Sequence, residues 1–263
     1  MKHSRAALVC LVALASGGIA RPDNVPTDPT TKPAVGVTMI PGEIASHRFA
    51  EGVTDLGFDA DWEWQALVCR KKCELEKVKL LMTPVKVRPY DGDPIPGHTY
   101  AIDRELDAPP LMLFRNLPPG FQKKPRTVLH AGLDTYPSST PGTMEIDIVL
   151  DDELVRVVPR YAGLIDNTPT FKVYLETKAK RQFLTHLPVD SIVGTAGLPR
   201  RQQMLRWAGD LDGDDKLDLV MSFTPRYGEE AAVTLFLSSL AKPGEMVGIA
   251  GAFSYWPVGN PGC

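Results

Sequence analysis

The chain has 263 residues, 32 Asp and Glu against 29 Lys and Arg, and a formal net charge of −3. This mild acidic balance argues against nucleic acid or an anionic membrane as partner, since both reward clustered Lys and Arg. The 24 prolines are spread widely enough to forbid many long helices.

Residues 1–20 read as an export signal. Lys2 and Arg5 form a positive head, and Ala6 to Ala15 is an apolar run too short to span a bilayer. Gly18-Ile19-Ala20 is the cleavage box; the competing reading is a buried N-terminal helix. Cys10 lies inside the apolar run after Val9, where lipidation would need a small residue. Cleavage after Ala20 leaves 263 − 20 = 243 residues, and loss of Lys2 and Arg5 moves the charge from −3 to −5. No second long apolar segment follows, so the mature chain is expected without a transmembrane segment, in the periplasm or outside the cell. Residues 21–34, rich in Pro, Thr and Asp, read as a disordered linker.

Residues 35–187 read as a β-rich N-terminal domain of short alternating runs between turns. A short helix is one reading of residues 55–67. Cys69 and Cys73 flank Arg70-Lys71-Lys72 and would face each other across a hairpin, within bridging reach. So short a loop contributes about 2 kcal/mol as a disulfide. C-x-x-x-C without a second pair disfavours zinc, and Cys263 is left odd. Residues 78–88 read as a strand broken by Pro84, and 98–102 and 111–115 as two more. Residues 144–150 alternate well, turn at Asp151-Asp152 and return at Leu154 to Val158: a hairpin. Phe171, Val173 and Leu175 mark a further strand, which Arg181 to Leu187 can join.

Residues 188–202 carry prolines and glycines and form the best internal linker, so 188–263 read as a C-terminal β unit, or as the continuation of one domain with 35–187. Strands are expected at 204–207, 217–223, 232–237 and 246–253, with a possible short helix at 225–231. The expected fold is thus mainly β, an antiparallel sandwich with little helix.

Between the first two of these strands lies Asp210-Leu211-Asp212-Gly213-Asp214-Asp215-Lys216-Leu217-Asp218, with carboxylates at loop positions 1, 3, 5 and 9. Asp side chains are short, so alternate aspartates in a curled loop can converge on one hard cation. Calcium, which takes six to eight oxygens, suits them best. Asp210, Asp212, Asp214 and Asp218 are the side-chain candidates, and the backbone carbonyl of Lys216 at position 7 is a further donor. An EF-hand would need a glutamate at position 12, where Met221 stands, and helical flanks. Magnesium takes fewer carboxylates from protein. The bland alternative is an acidic turn with no metal.

Trp207-Ala208-Gly209 through Leu219-Val220 resembles the calcium loop of FG-GAP repeats, the integrin-type propeller loop of pattern D-x-D-G-D-G-x-x-D-hydrophobic. The resemblance implies structural calcium held by the residues just named. The family's glycine at position 6 is Asp215 here, where positive φ is usual. A single copy does not imply a propeller. The wider segment from Leu205 to Cys263, under a quarter of the chain, is similar to the C-terminal part of exported bacterial proteins with one such loop, which implies no activity.

Other chemistry is thin. Asp91-Gly92-Asp93 reads as a solvated turn. His47, His98, His130 and His186 lack zinc-motif spacing. G-x-S-x-G is absent, and Ser138-Ser139 and Ser238-Ser239 sit in turn-like or strand-end contexts. Glu63 between Trp62 and Trp64 is a local cluster suited to a sugar ring, against plain packing of the two indoles. The expectation is a monomeric, exported, calcium-binding β protein that acts as a structural or binding module for a protein or glycan partner. The alternative is a calcium-stabilised hydrolase acting on polysaccharide or another envelope polymer.

Overall fold

The computed structural model describes residues 37–42, 48–50, 62–87, 95–118, 120, 121, 123–131, 137, 144–165, 168–188, 204–223 and 231–255. The export signal, the linker at 21–34, the internal linker at 188–202 (save Pro188), residues 55–61 of the expected helix, Asp91-Gly92-Asp93, Ser138-Ser139, Cys263 and the helix expected at 225–231 (save its last residue) lie outside these residues.

Among the described residues, fifteen strands carry the fold: β1 Thr38–Pro41, β2 Arg48–Ala50, β3 Glu63–Cys69, β4 Cys73–Val87, β5 Ile95–Ile102, β6 Pro110–Arg115, β7 Arg126–His130, β8 Ile146–Leu150, β9 Glu153–Ile165, β10 Thr168–Glu176, β11 Arg181–Pro188, β12 Leu205–Asp210, β13 Asp218–Phe223, β14 Ala231–Leu237 and β15 Gly248–Tyr255. They form three sheets, ordered β1-β6-β3-β4-β5-β2, β11-β10-β9-β8 and β15-β14-β13-β12-β7. Every pairing is antiparallel. The mainly β, antiparallel class expected from the sequence is the class observed.

The five-stranded sheet is covered on both faces. On one face Ala208, Leu219, Met221 and Phe236 pack with Ile146, Ile148, Val157, Val173 and Leu175 of the four-stranded sheet. On the other, Trp207, Val220, Val233, Leu235 and Leu237 pack with Met39, Leu67, Leu75, Met112 and Phe114 of the six-stranded sheet. A strand buried on both faces cannot alternate apolar with polar. This is why Leu219-Val220-Met221 runs apolar without a break, each residue fully buried. The far face of the six-stranded sheet gathers a third core from Ile40, Trp64, Ala66, Val68, Val78, Leu80, Tyr100 and Leu113. The simple sandwich of the sequence reading therefore gains a third layer. The central sheet draws β7 from before residue 188 and the rest from after it.

Local readings fare variously. The 146–158 hairpin forms with Asp151 and Asp152 both at positive φ, as a tight two-residue turn requires. Cys69 and Cys73 are directly opposite in the β3–β4 hairpin and are disulfide-bonded. Residues 63–67, expected as the end of a short helix, are strand: Trp64, Ala66 and Val68 enter one core and Leu67 the opposite one, a period of two. Pro84 does not break β4. Leu75 and Lys79 turn their amides away from β3, so Pro84, of opposite parity, faces the side that β3 covers. That side has no described strand once β3 has started at Glu63, and the missing N–H costs no ladder bond.

Candidate metal centre

The acid loop is the β12–β13 connection. Gly209 pairs with Asp218 across it, which brings the two ends of the loop together. Gly209 also has to be glycine, because a Cβ there would stand 2.0 Å from the carbonyl oxygen of Arg126 on β7. The leucines flanking the loop anchor it on opposite faces of the central sheet, Leu211 in the core shared with the six-stranded sheet and Leu217 in the core shared with the four-stranded one.

With its ends fixed, the loop curls around Asp210. The amides of Gly213 and Asp214 donate to Asp210 Oδ1 at 2.7 and 3.2 Å, and that of Asp215 donates to Oδ2 at 3.2 Å. The curl needs left-handed backbone at Gly213 (φ 82°) and Asp215 (φ 60°). Asp215 thus adopts the positive φ expected at loop position 6, in the short-chain residue type that tolerates it best after glycine and asparagine.

Asp210, Asp212 and Asp218 each present one carboxylate oxygen, and the three oxygens lie within 4.8 Å of one another. Among the described residues no other group of three or more His, Cys, Asp or Glu side chains converges in this way. Asp210 and Asp218 are buried. Asp218 accepts from the Leu211 amide and the Ser238 amide, each at 2.8 Å, and from Ser238 Oγ at 3.1 Å. Asp212 Oδ2 accepts from Ser239 Oγ, while Asp212 Oδ1 is buried with no hydrogen-bond partner among the described residues. A buried carboxylate oxygen left without a donor is costly, and a cation at the shared centre is what would satisfy it. The donors are all hard oxygens, so the residues present fit a hard divalent ion.

Asp214 stands outside this group of three. Its oxygens accept from Ser238 Oγ at 2.8 and 2.9 Å, and Oδ1 also takes the Lys216 amide at 3.0 Å. Lys216 is exposed, its ammonium 3.6 Å from Asp214 Oδ2. Burial raises the Asp212 carboxyl above its ordinary range, helped by the charges of Asp214 and Asp210 and opposed by the Ser239 hydroxyl. Burial also pushes Asp218 up to about 7, against the pull of the Ser238 and Leu211 amides. A second cation among the described residues lies beside the loop. Arg126, opposite Asp210 in the sheet, forks onto Asp151 of the β8–β9 turn. That bond raises the Arg126 pKa and lowers that of Asp151, and the charges of Asp215 and Asp210 reinforce the rise.

Ser238 and Ser239 are partners of the loop aspartates that the sequence did not reveal. They open the turn after β14 (Ser238–Leu240), and no spacing rule links them to a loop more than twenty residues earlier. The adjacency of β13 and β14 makes the link.

His47 and the His98 side chain lie outside the described residues; the remaining candidates that are described resolve into packing. Trp64 is fully buried, Trp62 lies under the Arg115 guanidinium at 3.3 Å, and Glu63 pairs with Lys77 at 2.8 Å. His186 rests on Phe183, and burial holds the His130 imidazole below its usual range. No family model, curated protein or solved structure matches the chain.

Proposed function

We propose that this is an exported calcium-binding β protein in which one ion at the β12–β13 loop pins the sheets together, and that it serves as a structural or binding module. The observation that carries the reading is the meeting of Asp210, Asp212 and Asp218 oxygens within 4.8 Å between two buried strands. Calcium is preferred because it takes six to eight oxygens in irregular geometry, whereas magnesium keeps its waters and a strict octahedron. Asp214, once turned from Ser238 toward the ion, and the Lys216 carbonyl, at loop positions 5 and 7, would supply further oxygens. The ion's role in this reading is to neutralise carboxylates that burial would otherwise leave in mutual repulsion.

Export is supported by the Cys69–Cys73 disulfide, which suits an oxidising compartment. No helix among the described residues is long and apolar enough to cross a membrane.

The test is calorimetry of the purified chain in calcium and in chelator. Calcium at about a hundred times its dissociation constant adds about 2.7 kcal/mol to stability. The calcium-loaded form should melt higher, and Asp212→Ala should abolish the difference. Identical melting of the native chain in both solutions sinks the reading.

A further inference from the structure

Val157, Val173 and Leu175 point into the core beneath the four-stranded sheet, so the residues that alternate with them point outward. The register sets these outward residues in three rows across β9, β10 and β11. Arg156, Glu176 and Arg181 stand opposite one another in the first row, Val158, Tyr174 and Phe183 in the second, and Arg160, Lys172 and His186 in the third. A bulge at Leu184 puts Phe183 and His186 on the same face of β11, their ring centroids 4.8 Å apart.

Glu176 is the one acid in these rows. Its carboxylate, nearly buried, lies 3.1 Å from Arg160 and 2.7 Å from Arg181, while Arg156 turns toward Glu145 at 4.0 Å. Lys172 has no ion-pair partner among the described residues. Arg160 and Lys172 are therefore like charges set directly opposite each other, an arrangement that weakens a sheet. Arg160, Lys172 and Arg181 together stand against one carboxylate, on a chain whose net charge is −3. His186 is different: partial burial, helped by the charge of Lys172, holds its imidazole below the usual range. The ring is neutral at pH 7 and offers one N–H and one lone pair. Phe183 stands between these groups, 45% exposed and edge-on to Tyr174 at 5.9 Å.

We infer that this face binds an acidic polysaccharide, a chain of sugars that carry carboxylates. Each feature of the face answers one group of such a chain. Lys172 and the N–H groups of Arg160 that Glu176 leaves unused take the carboxylate. The neutral His186 imidazole takes a hydroxyl. Phe183 gives the C–H face of a sugar ring an apolar surface. A neutral sugar would leave Arg160 and Lys172 in repulsion, and a bare polyphosphate would engage the cations alone. The inference rests on the binding-module reading and not on the ion, so a face that binds nothing leaves the calcium melting test as it was.

The test is affinity electrophoresis of the full chain through native gels that hold polygalacturonate. The gels contain chelator, because calcium bridges that polymer, and run below the melting temperature in that buffer. The native chain should be retarded by polygalacturonate and not by its methyl ester, which keeps the sugars and lacks the charge. Polyphosphate, which keeps the charge and lacks the sugars, should retard it less. Lys172→Glu should raise the dissociation constant, read from retardation against polymer concentration, about tenfold or more, the worth of one charge-assisted hydrogen bond. Its melting temperature should hold or rise, because the repulsion with Arg160 is gone. Lys172→Gln takes its place if that variant does not fold, and Phe183→Ser should weaken binding as well. Lys86→Glu, the same charge change at an exposed site of the six-stranded sheet, should leave retardation unchanged. No retardation by polygalacturonate overturns the inference. So do equal retardation by the methyl ester, stronger retardation by polyphosphate, and full binding by the Lys172 variants. Loss of binding only together with a fall in melting temperature overturns it too, since Lys172 would then be structural.

Discussion

Asp218 gives the sharpest test of the electrostatics of the loop. In the metal-free protein its pKa moves from 3.8 to about 7, which is about three units and at most about 4 kcal/mol. A raised carboxyl binds its proton more tightly folded than unfolded. Between about pH 4 and pH 7 the native state thus holds a proton that the unfolded chain has lost, and stability falls as pH rises through that window. The comparison that isolates the effect is Asp218→Asn, which cannot titrate. Both Asp218 oxygens accept backbone N–H groups, so the amide nitrogen of Asn would confront one donor with another, at a pH-independent cost of about 1–3 kcal/mol. Urea unfolding in chelator should find the native chain more stable than the variant near pH 5. The gap should close, or reverse, as pH approaches about 8. Calcium should restore the native chain at the upper end and leave the variant little changed. A gap in chelator that stays constant or widens with pH refutes the reasoning.

Two further predictions bear on the support of the loop. Ser238→Ala removes the one hydroxyl proton that Asp214 and Asp218 share. It should destabilise the protein by about 1–3 kcal/mol and weaken calcium binding measured by titration, whereas Ser238→Thr should retain most of both. Gly209→Ala would force a Cβ to 2.0 Å from the Arg126 carbonyl. β7 would have to yield, and the unfolding midpoint should fall by the equivalent of about 1–3 kcal/mol, in calcium and in chelator alike.

Periodicity made much of this fold legible. The 146–158 hairpin, the strands at 171–175 and 217–223 and the Cys69–Cys73 staple follow from alternation and spacing alone. What the sequence hid was layering. Leu219-Val220-Met221 reads as a strand, but only the packing shows that its two faces serve different cores. Trp62-Glu63-Trp64 left a sugar platform open beside plain packing, because nothing local says that Trp64 is at the bottom of a core. Pro84 suggested a break because its harmlessness depends on where β3 begins, twenty-one residues earlier. The loop aspartates declared themselves by spacing. Their arrangement did not: three converge, and the fourth turns to Ser238.

The position of the loop explains why a small ion there would matter to the whole molecule. β12 and β13 lie within the central sheet, and the loop between them starts from the core of one flanking layer at Leu211 and ends in the core of the other at Leu217. Its two terminal carboxylates, Asp210 and Asp218, are buried at that junction. Ser238 then ties the loop to the turn that leads from β14 into β15. Gln182 of the four-stranded sheet holds the far side of the same connection, accepting from the amides of Met246 and Val247 and donating to the Val247 carbonyl. Releasing the loop therefore loosens the β14–β15 connection and its attachment to the neighbouring sheet together. Loss of the ion should register as weaker hydrogen-exchange protection at residues 238–250, well beyond the aspartates themselves. Protection lost only at 210–218 would mean that the loop is a local turn and that the sheets stand without it.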